Sequence, residues 1–244
     1  MDNDDLPVGR VLSRRGALGL LGAAGYALWT GCGPAGGQIK PARVAGCVAR
    51  PEQTEGPYFV DELLHRSDLR ADPSDGTLRP GTPLELAIAV SSLSGTACRP
   101  LAGWMVDLWQ CDHLGVYSDV KDPEFFNTVG KKFLRGYQLT DGEGKARFIT
   151  IYPGWYPGRT VHIHFKIRSP VSVRRGLAFT SQVYFDDALT DRVFKDAPYA
   201  GRPDRTTRNS ADGIFRRGGS QLILDLAPKG AGHTGTFNVA LTGV

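Results

Sequence analysis

Thr160-Val161-His162-Ile163-His164-Phe165-Lys166-Ile167 is the stretch that decides the fold reading, because its two interleaved residue sets differ in character. Val161, Ile163, Phe165 and Ile167 fall on one parity, and Thr160, His162, His164 and Lys166 on the other. In a strand, residues two apart point to the same side. One side is therefore an apolar core face, and the other carries two imidazoles in parallel. The same period runs through Leu84, Leu86, Ile88 and Val90, through Trp104 to Gln110, and through Ala146 to Ile151. Further strands are expected at Phe179–Phe185, Gln221–Leu226 and Thr236–Leu241. Turn chemistry separates the runs: Asp141-Gly142-Glu143-Gly144, Pro153-Gly154, Pro157-Gly158 and Gly218-Gly219. Only Asp61–Arg66 and Leu189–Phe194 read as short helices. The fold expected is all-β, one antiparallel β-sandwich with long functional loops.

Composition agrees with that reading. The chain has 244 residues with 31 Gly and 16 Pro, which favours many turns and short strands over long helices. Its length lets it bury most of its apolar surface without props. At 41% hydrophobic and 22% charged, it is neither globally disordered nor a multispan membrane protein. The net charge of +4 is spread along the chain, with only isolated pairs such as Arg174-Arg175 and Arg216-Arg217. That is a solubility property, and no nucleic-acid partner is expected.

Residues 1–31 read as an export signal. Ser13-Arg14-Arg15 precedes a charge-free apolar run from Gly16 to Trp29, shorter than the roughly 20 residues of a bilayer span. The paired arginines suggest the twin-arginine route, and Cys32 after Thr30-Gly31 is a candidate lipid acceptor, hence a possible membrane attachment. The alternative is an uncut anchor helix. Cleavage removes Asp2, Asp4 and Asp5 together with Arg10, Arg14 and Arg15, so the net charge does not change. Residues 32–46 read as a flexible spacer. The product is expected to be secreted or attached at the cell surface. One disulfide suits such a domain. Cys98 and Cys111 flank an apparent strand, which separates them too far for a bridge, so Cys47 is expected to pair with one of the two. Three buried free thiols are the alternative.

The chemistry concentrates around the opening stretch. Two imidazoles a few ångströms apart on one strand face make a natural cation chelate, although His-x-His as a bare pattern also describes surface or core histidines. Tyr152 and Tyr156 lie just upstream around a Pro-Gly turn, and Tyr117 ends a second turn, Asp112-His113-Leu114-Gly115-Val116-Tyr117. Two histidines with two phenolates suit a hard trivalent ion, whereas zinc draws on Cys, His and carboxylates. Equally, Tyr117 and Tyr156 read as amphipathic loop residues with a buried ring and a wet hydroxyl.

Taken in order, Thr54-Glu55-Gly56-Pro57-Tyr58, Val106-Asp107-Leu108-Trp109-Gln110-Cys111-Asp112-x-x-Gly115-x-Tyr117, Phe133-Leu134-Arg135-Gly136, Pro153–Phe165 and Thr180-Ser181-Gln182-Val183-Tyr184-Phe185 resemble the intradiol ring-cleavage dioxygenases. The likeness runs from about Cys47 to the C-terminus, making 47–244 the catalytic domain. The resemblance implies a non-haem Fe(III) held by Tyr117, Tyr156, His162 and His164, with a solvent hydroxide as fifth ligand. It implies a catechol-type substrate cleaved by O2 between its two hydroxylated carbons, giving cis,cis-muconate-type products, and so a part in the breakdown of aromatic compounds. The tyrosine at position 156 then leaves the metal and takes up a substrate proton. Arg159 and Gln182 match positions lining the substrate side, where a cation stabilises negative charge in the ring. Strict alternation would put Arg159 opposite His162, so that role needs a loop or bulge. Tyr58 and Tyr184 are further pocket candidates, and His113 is expected outside the ligand set. The loops Ser118–Lys132 and Arg168–Ala178 are expected to set substrate preference.

Catechol dioxygenases of the cytoplasm carry a helical N-terminal dimerisation domain. Here the export signal and spacer stand in that place, so a monomer or a homo-oligomer of another kind is expected. Protocatechuate enzymes use two different subunits, and the better likeness is to the exported, single-domain branch. Two other classes fit parts of the pattern: a zinc hydrolase built on His162 and His164, and a non-catalytic β-sandwich binding module.

Overall fold

The computed structural model describes residues 47–170 and 176–244. The expected export signal, spacer and lipid-acceptor Cys32 lie outside these residues. β1 (Pro83–Ser94) organises the first sheet. Its alternation sends Leu84, Leu86, Ile88 and Val90 inward. It pairs antiparallel with β2 (Ala97–Pro100) and with β5 (Lys145–Ile151). On its other edge it meets β9 (Gly232–Thr242), which in turn pairs with β8 (Ala227–Lys229). The second sheet runs β4 (Arg135–Leu139), β3 (Met105–Trp109), β6 (His162–Arg168) and β7 (Ala178–Tyr184), antiparallel throughout.

The core lies between the sheets. Leu84, Leu86, Ile88, Phe148 and Phe237 meet Val106, Leu108, Ile163, Phe165, Ile167 and Val183. Each such side chain, fully buried, contributes about 1.5–3 kcal/mol. The all-β sandwich is thus the fold. One pair departs from the antiparallel expectation: β1 and β9 run parallel, from Leu84 opposite His233 to Leu93 opposite Thr242. Nearly the whole domain intervenes between them, so no hairpin dictates their direction.

Two local expectations are corrected and one strand is added. Residues 61–66 are extended, with Leu63 at φ 50°, because their backbone pairs along β4: Leu64 O accepts from Tyr137 N, and Tyr137 O accepts from Arg66 N. Residues 221–226 form no strand of their own; a 3-10 turn, Gly219–Leu222, leads into a single bridge of Ile223 with Tyr184. β4 went unforeseen because its burial does not alternate. The helix expected at Leu189–Phe194 is present as α1 (Asp187–Val193), capped by Asp186, whose Oδ1 accepts from Leu189 N. Cys47 pairs with Cys98, with Cα atoms 5.9 Å apart, and Cys111 is a buried free thiol.

Candidate metal centre

The register of the second sheet assembles one polar row. His164 stands between Trp109 on β3 and Gln182 on β7, and His162 stands beside Tyr184. This face points away from the intersheet core, yet both histidines are only 2% exposed. Loops bury them.

Two of those loops carry the tyrosines, and glycine lets them touch. A Cβ on Gly115 (φ +86°) would sit 2.3 Å from Trp155 O, and one on Gly154 would sit 2.4 Å from His113 O. Only glycine permits that backbone-to-backbone approach. Asp112 shapes the first turn, its Oδ1 accepting from Leu114 N and Val116 N. Arg202 ties the loops together by donating to His113 O (2.9 Å) and Trp155 O (2.8 Å), with its guanidinium over the Trp155 ring.

The result is a convergence of four donors. Tyr117 Oη lies 3.4 Å and Tyr156 Oη 3.2 Å from His162 Nε2, which is itself 3.0 Å from His164 Nε2. His162 Nδ1 faces Thr160 O at 2.6 Å, so it carries the proton and leaves Nε2 as a lone pair. Burial first, then the nearby Arg159 guanidinium, holds His162 well below the usual imidazole range. For His164 the causes are burial, then His162, Arg159 and Arg135. Burial likewise pushes the Tyr117 hydroxyl well up. Two neutral imidazoles thus aim at one point beside the phenols of Tyr117 and Tyr156, and burial keeps Tyr117 from ionising without a strong positive charge nearby. That donor chemistry fits a trivalent cation. No cluster of three or more His, Cys, Asp or Glu side chains suited to a metal occurs among the described residues. Cys111 contacts Gly154 O at 3.7 Å, and burial raises its thiol.

Arg159 falls in the turn ahead of β6, so strand alternation does not govern it. Its side chain is buried, with Nη2 donating to Gln182 Oε1 at 2.5 Å and Nε to Asp212 Oδ2 at 3.0 Å. Gln182 Nε2 donates to Thr54 O. Tyr184 Oη donates to Gln53 Oε1 at 2.6 Å and also lies 3.0 Å from Gln182 Oε1. Tyr58 stacks on Tyr117 at 4.7 Å, stands edge-on to Tyr156, and donates its hydroxyl to Asp122 Oδ2 at 2.7 Å. His113 packs against Tyr199 with its ring half-buried, apart from the four donors.

Sequence reasoning gave no role to Trp109, Arg135, Asp122 or Asp212. Trp109 lies parallel to His164, with ring centroids 5.0 Å apart. Arg135 grips Ser118 Oγ at 2.8 Å and reaches Tyr58 O, joining the segments of Tyr117 and Tyr58. The parity of Trp109 with Asp107 was legible; the long-range partners were not. Of the loops expected to line the pocket, Ser118–Lys132 reaches the centre through Asp122 and Phe126. The described flanks of Arg168–Ala178 attach at the end of β6 and β7 remote from His162, and residues 171–175 lie outside the described residues.

A family model described as Dioxygenase (Dioxygenase_C) matches residues 54–205, from the first motif through both histidines. The chain belongs to the intradiol ring-cleavage dioxygenases. Its likeness to the protocatechuate 3,4-dioxygenase beta chain of Burkholderia cepacia is 30% identity over 167 residues, 64% of this chain and 68% of that one. Catechol 1,2-dioxygenase 2 of Acinetobacter lwoffii is 32% identical over 140 residues, 49% of this chain, which spans only 46% of that protein. In structure, the intradiol ring-cleavage dioxygenase of Tetranychus urticae superposes with a TM-score of 0.69 at 31% identity, covering 80% of this chain and 95% of that one. This intradiol dioxygenase therefore carries its family's fold over nearly the whole of that relative, and the four-donor convergence lies inside the matched segment.

Proposed function

We propose that the protein is a non-haem Fe(III) enzyme cleaving catechol-type aromatics with O2 between the two hydroxylated carbons, giving cis,cis-muconate-type products. The observation that carries this is the buried convergence of two neutral imidazole nitrogens, 3.0 Å apart, with two phenol oxygens. Tyr117, Tyr156, His162 and His164 would hold the ion. A ferric ion in that set supplies Lewis acidity and a template for the catechol and O2.

The chain's own groups do the rest. Tyr117 is fully buried, with its carbonyl accepting from Thr128 Oγ1, and serves as the fixed phenol. Tyr156 is only partly buried, on a loop flanked by Pro153-Gly154 and Pro157-Gly158. Its Oη is the atom that swings aside and accepts a proton from the incoming catechol. Arg159 holds a positive charge where the ring gains electron density, and Gln182 fixes its direction. Tyr184, its hydroxyl held by Gln53, stands beside Gln182 and supports that side of the pocket. Tyr58, its hydroxyl committed to Asp122, offers a ring face that excludes water from Tyr117. Two phenol oxygens in the donor set favour a hard trivalent ion over the zinc of the hydrolase reading.

Iron-loaded protein should be reddish-brown from phenolate-to-Fe(III) charge transfer, with a band that shifts on adding catechol, and it should consume O2 and release a muconate. A colourless, zinc-containing, active preparation sinks this reading. Iron-replete protein that binds catechols without O2 uptake supports a binding module instead. We also propose export through residues 1–31, with the mature protein acting outside the cytoplasm on catechols released from plant or aromatic material. Cell fractionation with N-terminal sequencing tests export; mass spectrometry of Cys32 tests lipidation, and sizing of the mature protein separates monomer from homo-oligomer. An intact N-terminus in the cytoplasmic fraction refutes export.

A further inference from the structure

The buried charge that faces Arg159 comes from outside the segment that defines the family match. Asp212 is fully buried, lies seven residues past the matched span of 54–205, and follows the 3-10 turn Asn209–Ala211. Four donors surround its carboxylate. Oδ2 accepts from Arg159 Nε at 3.0 Å and from Thr160 N at 2.8 Å; Oδ1 accepts from Ile214 N at 2.7 Å and Phe215 N at 2.9 Å. A buried carboxylate is tolerated only when paired and hydrogen-bonded, and this one is. Asn209 adds a second grip: its Oδ1 lies 2.6 Å from Thr160 Oγ1 and its Nδ2 donates to Phe185 O. Gln53 Nε2 ties the same segment to the extended chain ahead of Thr54 by donating to Ile214 O at 3.1 Å.

The geometry has a consequence for direction. The Arg159–Thr160 turn leads straight into β6, and alternation alone does not decide which side the Arg159 side chain takes. Asp212 binds the Nε edge of the guanidinium and the next backbone N–H with one oxygen, so side chain and turn are fixed together. Nη2 is thereby delivered to Gln182 Oε1 at 2.5 Å, on the same sheet face as the histidines. Because the guanidinium is a rigid planar fork, fixing one edge fixes the other.

We propose that Asp212 is a positioning residue that acts through Arg159, and that the 208–215 segment is the clamp holding the catalytic cation on the histidine face. This rests on the function proposed above. The test is a double-mutant cycle in the full chain, iron-loaded: Asp212→Asn, Arg159→Met and both together. The measurements are kcat and KM for catechol by O2 uptake, iron content, and visible titration with 4-nitrocatechol. Asp212→Asn should lower kcat about 10- to 100-fold, the scale of outer supports at such sites, with iron content unchanged and weakened nitrocatechol binding. In the Arg159→Met background it should lower kcat no further.

An equal factor in both backgrounds, or no loss in the wild-type background, overturns the proposal. If Asp212→Asn does not accumulate as folded protein, Arg159→Ala with added guanidinium decides. Saturable recovery of O2 uptake means that Asp212 captures a guanidinium there; no recovery overturns the idea. A wild-type protein that consumes no O2 with any catechol breaks the underlying function instead, whereas active wild type with an equally active Asp212→Asn breaks only this inference.

Discussion

Around Trp109, His162 and His164, β3 and β6 are buried on both faces, but for opposite reasons. The inner face, with Val106, Leu108, Ile163 and Phe165, meets the other sheet as apolar surface meeting apolar surface. The outer face, with Trp109, His162 and His164, is just as inaccessible, yet it is covered by loops and filled with groups that need partners. Burial on the inner face is stabilising in itself. On the outer face it is a cost, offset by hydrogen bonds and, in the proposed function, by a cation. His164 Nδ1 and Trp109 Nε1 show the difference: both are buried with no hydrogen-bond partner among the described residues, which an ordinary core avoids.

The sharpest way to break the comparison is to change the outer face and watch function without fold. His162→Ala and Tyr117→Phe should each cut iron content and lower O2 uptake with catechol more than about 100-fold, exceeding the loss from outer supports. Circular dichroism should remain that of a β-sandwich. Full iron and activity in both variants would refute the ligand set. Tyr156→Phe should keep more iron than Tyr117→Phe, because Tyr156 is the less buried of the two.

The inner face should respond the other way. Phe165, fully buried opposite Leu108, should cost about 3–5 kcal/mol on change to Ala, read as a lower denaturation midpoint. The iron-loaded fraction that stays folded should keep its visible band. A comparable loss of stability from His162→Ala in metal-free protein would erase the distinction between the faces. Smaller again is the Cys47–Cys98 bridge, which closes a span of 51 residues and attaches to β2 of the other sheet. Its loss, as Cys98→Ser, should cost about 2–4 kcal/mol, mostly through the unfolded chain, with kcat unaltered in the folded protein.

Legibility in the sequence followed the same division. Leu84 to Val90 and Val161 to Ile167 announced their strands because alternation is a local signal, as were the Pro-Gly turns. The paired histidines were legible for the same reason, and the tyrosines through the resemblance their motifs carry. β4 carries no such signal, because its burial grades from Arg135 to exposed Leu139 without alternating and its pairing partners, not its pattern, make it a strand. Residues 61–66 resemble a helix in sequence because edge pairing with Tyr137 leaves no periodic trace. Asp212 was invisible for a stronger reason: its meaning lies in Arg159, 53 residues away in sequence. The side on which Arg159 stands could not be read from a period that begins only after it.

Tyr58 gives the finest probe of the loop-covered face. Its hydroxyl donates to Asp122 Oδ2 at 2.7 Å, and its ring covers Tyr117 at 4.7 Å. Tyr58→Phe keeps the ring and removes only the bond, so stability should fall by about 0.5–1.5 kcal/mol at neutral pH. That bond is the main cause that holds the Asp122 carboxyl below the usual range. A depressed carboxyl contributes stability above its unfolded pKa, near 3.9, and loses it as pH drops through the lower folded value. The gap between wild type and Tyr58→Phe should therefore be full at pH 6 and close as the pH falls below about 4. Iron content and kcat should change little, because the stacked ring is what shields Tyr117. A gap that persists unchanged into acid would mean that the hydroxyl contributes by packing and not by its bond to the carboxylate, and a large fall in iron would move Tyr58 from the cover of the site into its machinery.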